Sequence, residues 1–178
     1  FLLVFGICIY GATKVKVDTD IAAQYPEDSR FRENIEVVDL KMMGTQNMEI
    51  YLDMGSEYAF HDPLVLNTVA DLQQTIERKY SPLVVRTSSL VDVVMNAYQT
   101  LNDGRPEMYV VPEDRRMVSQ TLFLFNNANP DDRRKLVSDD YQRSHISMQL
   151  HNSGSLEYSK IFHLMREDID KAVGQLIQ

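Results

Sequence analysis

Four histidines, one cysteine and a set of scattered carboxylates are the groups in this 178-residue chain that could do chemistry. Their spacing settles most cases. Asp18 and Asp20 share one face of an alternating run and could meet a cation, but no third ligand is fixed near them. A solvated strand face is the expectation there. His145 and His151 also share a strand face, yet six residues of extended chain put them about 20 Å apart, too far for one metal ion. His163 and Glu167 stand four apart on a helix, a spacing that favours surface electrostatics over catalysis. Asp131, Asp132, Asp139 and Asp140 belong to DDRRKLVSDD, which lacks the regular ligand spacing of an EF-hand and reads as turn and capping acids. Arg115 and Arg116 could touch an anion near a helix start, but a solvated helix face suits them better.

No serine sits in a G-x-S-x-G elbow, and no phosphate loop, Rossmann glycine pattern or H-E-x-x-H motif occurs. The reading is therefore a chain without catalytic residues, metal ligands or cofactor, and not an enzyme. No residue is assigned to substrate. Nine methionines (Met42, Met43, Met48, Met54, Met95, Met108, Met117, Met148 and Met165) are the one compositional hint. Adaptable thioethers suit a surface for varied apolar ligands, and they fill a core equally well.

A formal charge of −8 argues against a nucleic-acid partner, which calls for a basic patch. The single Cys8 excludes an internal disulfide and any multi-cysteine metal site. Residues 1–12, FLLVFGICIYGA, are apolar but would rise only about 18 Å as a helix, short of the roughly 30 Å hydrocarbon core. They are read as the tail of a longer membrane helix, ahead of a buried strand or a signal peptide. Lys14 and Lys16 would favour a cytoplasmic flank on charge alone.

The elements follow from periodicity. Val15, Val17, Thr19 and Ile21 alternate with Lys16, Asp18 and Asp20 as a half-buried strand. Residues 26–29 open a helix whose apolar stripe is Phe31, Ile35, Val38 and Met42, closed by a left-handed Gly44. Met48, Ile50, Leu52 and Met54 mark the next strand, completing a β-α-β unit. Asp62–Pro63 caps a helix with Val65, Val69, Leu72 and Ile76 inward. A strand over 83–87 follows, then a helix capped by Ser88 or Ser89 with Leu90, Val91, Val94, Tyr98 and Leu101 inward. Asn102 to Pro106 is the strongest turn signal and a hinge candidate.

A further helix begins at Pro112 to Asp114, with Met117 or Val118, Thr121, Leu122 and Phe125 on one side. A loop is expected over 126–132 and a strand over 143–152, with Ser144, Ile146, Met148 and Leu150 facing one way. The last helix carries Tyr158, Ile161, Phe162, Met165, Ile169, Ala172, Val173 and Leu176. The pattern predicts an α+β fold of at least two lobes, 13–102 and 103–178, with helices on one face of small sheets. The second lobe lacks a last strand, as a fragment of a larger protein would.

The stretch VKVDTDIAAQYPEDSRFRENIEVVDLKMMGTQNMEIYLD also resembles the opening of the extracytoplasmic porter domain of resistance-nodulation-division exporters, in the MmpL-like branch of hydrophobe exporters. In that family a membrane helix leads into a "V-x-T-D" strand, a Pro-Asp turn, a helix, a Gly and a strand reading roughly "N-x-E-I-x-L". The corresponding positions here are 17–20, 26–28, 31–43, Gly44 and 47–52. The resemblance implies ferredoxin-like β-α-β porter lobes in the extracytoplasmic part of a cell-membrane, proton-driven exporter. It implies hydrophobic or lipid-like cargo, flanking membrane helices and a homo-oligomer. It also places the 13–16 flank outside, against the charge argument from Lys14 and Lys16. The competing expectation, from the β-α-β grammar alone, is a soluble ferredoxin-like ligand-binding or regulatory module. A weak apolar binding surface is expected where the lobes meet.

Overall fold

Ser29 starts the first helix because its hydroxyl accepts from the Arg32 N–H, meeting one of the donors a helix start leaves unpaired. This helix, α1 (Arg30–Lys41), leads into strand β1 (Gln46–Asp53) through Met43 and Gly44, both at positive φ. The computed structural model describes residues 22–174 with Phe5, Gly6, Ile9, Tyr10, Gly11, Lys14, Thr19, Asp20 and Leu176. Most of the strand expected over 15–21 therefore lies outside the described residues, as does most of the apolar stretch 1–12. Among the described residues no helix is long and apolar enough to cross a membrane.

Asp62 caps α2 (Pro63–Lys79) by accepting from Leu64 N–H, with proline where its missing N–H costs nothing. Val65, Val69, Leu72 and Ile76 are buried as their spacing demands. Strand β2 (Val84–Ser89) runs directly into α3 (Leu90–Leu101). Ser89 ends one element and caps the next, in a capping box completed by Asp92. Helix α4 (Arg115–Ala128) is capped by Asp114, and α5 (Pro130–Leu136) follows after Asn129. Strand β3 (Arg143–Leu150) and helix α6 (Ser155–Gly174) complete the order.

The fold is α+β, as expected. Its sheet has the order β1-β3-β2, with β3 antiparallel to both neighbours. Thus β1 and β2 are parallel, joined by the α2 crossover, with β3 inserted between them: a split β-α-β arrangement. Ile50 and Leu52 of β1, Val84 and Thr87 of β2, and Ile146, Met148 and Leu150 of β3 are buried, while Tyr51 and Arg86 are exposed. Helices α2 and α6 touch each other, and one core cluster runs from Ile50 to Met165.

Several expectations are corrected. The division at 102/103 does not partition the sheet, because β3 from the second stretch pairs with strands from the first. Its alternating Ser144, Ile146, Met148 and Leu150 supply the face those strands need. The loop expected over 126–132 is helical apart from Asn129, because the Asn-Pro pair read as a break also starts α5. The α1 stripe does not face a core: Phe31, Val38 and Met42 are exposed, and the buried residue of that helix is Asp39. Its neighbour is the short 3-10 turn Ala22–Gln24 rather than a described strand. Leu101, at the last position of α3, and Met117 are exposed as well.

Gly44 has the positive φ expected of it, +86°, although Met43 is the first left-handed residue after the helix. A Cβ at Gly44 would stand 2.3 Å from Leu150 O, which also accepts from Thr45 N–H at 3.2 Å. Gly44→Val should combine left-handed strain with a backbone clash at the end of β3. We expect a loss of about 2–5 kcal/mol in urea unfolding; an unchanged midpoint would remove this account of the β1 entry.

Candidate functional site

The connection between β3 and α6 gathers distant parts of the chain. Asp39 Oδ1 accepts from Asn152 N–H at 2.7 Å and Thr45 Oγ1 at 2.9 Å, while its Oδ2 lies 3.0 Å from His151 Nδ1. Asp20 Oδ1 accepts from Asn152 Nδ2 at 2.7 Å and from the N–H groups of Ala22 and Ala23. The Asn152 amide outweighs the opposing effect of burial and, helped by those N–H groups, holds the Asp20 carboxyl below the usual carboxylate range. Thr19 N–H donates to Ser155 Oγ at 3.0 Å. Tyr158 donates to His151 O at 2.6 Å and accepts from Ser153 N–H at 3.1 Å, which fixes the first turns of α6.

That anchoring shapes a groove. Between the edge strand β1 and helix α6 lies an open cleft of about 720 Å³. Met48 and Ile50 form one wall; Tyr158, Phe162, Met165 and Ile169 form the other. The Tyr158 and Phe162 rings stack at 5.6 Å with planes 10° apart, so the aromatic wall is set by contacts within α6. Glu49, Ser155, Ser159, His163 and Arg166 supply the polar lining. Apolar walls with a few polar groups suit an apolar or amphiphilic guest. One wall comes from 13–102 and the other from 103–178, the two stretches expected to meet at an apolar surface.

The other sequence candidates disperse. Asp18 lies outside the described residues. Asp20 is not a solvated strand acid but a cap for the turn Ala22–Gln24. His145 pairs across the sheet with Tyr51, whereas His151 belongs to the Asp39 cluster. His163 lines the groove. Asp131 and Asp132 sit in the first turn of α5, paired with Arg134 at 3.6 Å and Lys135 at 2.9 Å. Asp139 pairs with the buried Arg133, and Asp140 accepts from Ser138 Oγ. Arg115 donates to Tyr58 O at 3.3 Å, and Arg116 is exposed. Among the described residues no three His, Cys, Asp or Glu side chains could share a metal ion. Of the nine methionines, Met48 and Met165 reach the groove; Met54 and Met148 are buried.

His61 went unnoticed in the sequence. Its Nδ1 lies 2.8 Å from Ser119 Oγ, a partner 58 residues away that no local pattern reveals.

Comparison of the chain with protein-family models, with curated proteins and with solved structures finds no match. What the fold and groove define is thus a structural class: an α+β domain on a split β-α-β sheet with an apolar cleft at one edge.

Helix α6 is also held at its far end. Asp168 accepts from Lys79 Nζ at 2.6 Å and Tyr80 OH at 2.7 Å. Lys79 first, then Tyr80, keep the Asp168 carboxyl below its ordinary pKa of 3.8. A depressed carboxylate contributes stability that is complete above the unfolded pKa and is lost as pH falls through the folded one. Asp168→Asn should therefore cost on the order of 1 kcal/mol or less at neutral pH, since the pair is partly solvated. The difference from the parent should shrink in thermal melts as pH falls below 3.8 and vanish once the folded form also protonates. A gap that persists in acid would mean that packing, not charge, holds α6.

Proposed function

We propose that this chain is the substrate-handling porter part of a membrane exporter driven by protons, acting on lipids or other hydrophobic molecules on the extracytoplasmic side. The observation that carries the reading is the groove, whose walls are apolar and whose aromatic and methionine side chains adapt to varied hydrophobic guests. The resemblance of residues 17–52 to the MmpL-like branch supports it, as does the split β-α-β sheet with helices on one face. The reading assigns no turnover to the chain itself, because coupling to a proton gradient requires groups in membrane helices. The groove then receives cargo, and displacement of α6 against β1 would open or close it. Homo-oligomerisation of the full-length protein is part of the same reading.

The test uses the full-length gene. Cells expressing it should lose a fluorescent lipophilic compound faster than cells without it, and collapsing the proton gradient should abolish the difference. Phe162→Ala and Ile169→Glu, in the groove wall, should slow the loss by about tenfold, as removal of one to two kcal/mol of apolar contact implies. Loss unaffected by both variants would move the cargo site elsewhere. Loss unaffected by the gene would favour the soluble binding or regulatory module. Reproducible hydrolysis or group transfer by the purified chain would favour an enzyme.

A further inference from the structure

The turn between β1 and α2 is tied to two other parts of the chain away from the groove. Tyr58, left-handed at φ 58°, donates its N–H to Asp140 O at 2.8 Å and accepts at its carbonyl from Arg115 Nη2 at 3.3 Å. Phe60 N–H donates to Tyr141 O at 3.1 Å. The next residue, His61, places Nδ1 2.8 Å from Ser119 Oγ on α4. Ser119 Oγ in turn donates to Arg115 O at 2.9 Å. A hydroxyl has one proton, so with that proton on Arg115 O, His61 Nδ1 must be the donor to Oγ. Nε2 is then an unprotonated lone pair, and it is buried with no hydrogen-bond partner. The Tyr141 and Tyr58 rings meet the imidazole edge-on at 4.5 Å and 5.4 Å.

We propose that His61 is an acid-released pin: in its neutral form it ties the β1–α2 turn to α4, and protonation at Nε2, which leaves the Nδ1–H donor in place but puts an unpaired charge in a buried site, drives the ring out and loosens the N-terminal half of α4. The second proton would arrive on a buried nitrogen that has no acceptor, beside the Arg115 guanidinium. The nearby carboxylates are committed. Asp62 caps Leu64 N–H, Asp114 caps Arg116 N–H, Asp139 pairs with Arg133, and Asp140 accepts from Ser138 and Gln142. Arg133 also lies over the Tyr141 ring at 5.7 Å, adding a second cation on that side. Burial first, then Arg115, lower the His61 pKa from 6.5. Its contribution to stability is therefore complete above pH 6.5 and declines as pH falls below that value, until the folded form also protonates. Helix α4 carries the exposed Met117, Phe123 and Leu124, so acid would mobilise an apolar face. None of this depends on the groove or on the exporter reading.

The experiment uses the 178-residue chain. Proton NMR should show His61 titrating below the ordinary histidine value of 6.5. Between about pH 7.5 and pH 5.5, amide-exchange protection of α4, measured against that of α2, should fall severalfold. In His61→Asn the side-chain amide keeps a donor near the Nδ1 position without a titrating group, and the relative protection should stay within about twofold. His61 titrating at or above 6.5, an equal fall in both proteins, or α4 protection that survives protonation of His61 would each overturn the pin. The last of these needs only the parent protein, so the test stands even if His61→Asn does not fold.

Discussion

The pairing of β3 between β1 and β2 is the constraint on which the rest depends. Gln46 pairs with Leu150 and Asp53 with Arg143, so a strand near the end of the chain must enter between two strands formed much earlier. Until it arrives β1 and β2 have no strand to join them in one sheet, and the buried side chains Ile146, Met148 and Leu150 have no partners. Loop-closure entropy grows only slowly with length, so this connection is thermodynamically tolerable once the apolar face of the central strand is buried. Its cost is specificity. A one-residue slip would turn Ser147 and Gln149 inward, exposing the apolar set. The close approach of Gly44 to Leu150 O guards the same register from the β1 side.

Among the described residues the two edges of this sheet are finished differently. At β2, the Glu77 carboxylate reaches from α2 to accept from Thr87 N–H at 2.6 Å and Thr87 Oγ1 at 2.8 Å. Gln73 continues the network, donating to Thr87 Oγ1 and Asp92 Oδ2 and accepting from Ser89 Oγ. These polar groups are buried but mutually satisfied, so they fix α2, β2 and the start of α3 as one unit. At β1 the neighbouring helix offers Phe162, Met165 and Ile169 instead. Apolar atoms cannot pair with a strand edge, so that side presents a groove where β2 presents a closed seam.

Much of the framework was legible in the sequence because its signals are local. Asp62–Pro63, the cap at Ser88 or Ser89, the alternation over 143–152 and the α2 stripe each sit within a few residues, and the elements formed close to where those patterns lay. The strand order was not legible. Alternation reveals which face is apolar but not which strand lies beside which, so a plausible division into two lobes hid the insertion of β3. The α1 stripe misled for a related reason: amphipathic spacing shows that a helix has an apolar face without showing what lies opposite. Asp39, polar and on the same helix, is buried because the nearby Thr45 and, from over a hundred residues away, His151 and Asn152 converge on it. The groove was foreseen only as an apolar meeting of two stretches, since Met48 and Met165 read equally well as core.

The Asp39 cluster also bears on how the groove could respond to the first part of the chain. Asn152 bonds Asp39 through its N–H and Asp20 through its side chain, and Ser155, on the groove, accepts from Thr19 N–H. Tyr158 carries the connection onward, since its hydroxyl holds His151 O while its ring stacks on Phe162 in the groove wall. A pull on residues 19–20 would thus act on the 151–155 connection through two hydrogen bonds before it reached the aromatic wall. Transmission of this kind needs rigid elements with a soft joint between them. Helix α6 and strand β3 are the rigid parts, and the short segment between them is the joint. In the exporter reading, residues 19–20 stand just after the apolar lead-in, so movement there would be felt first at the groove entrance and only weakly at the Lys79–Asp168 end of α6.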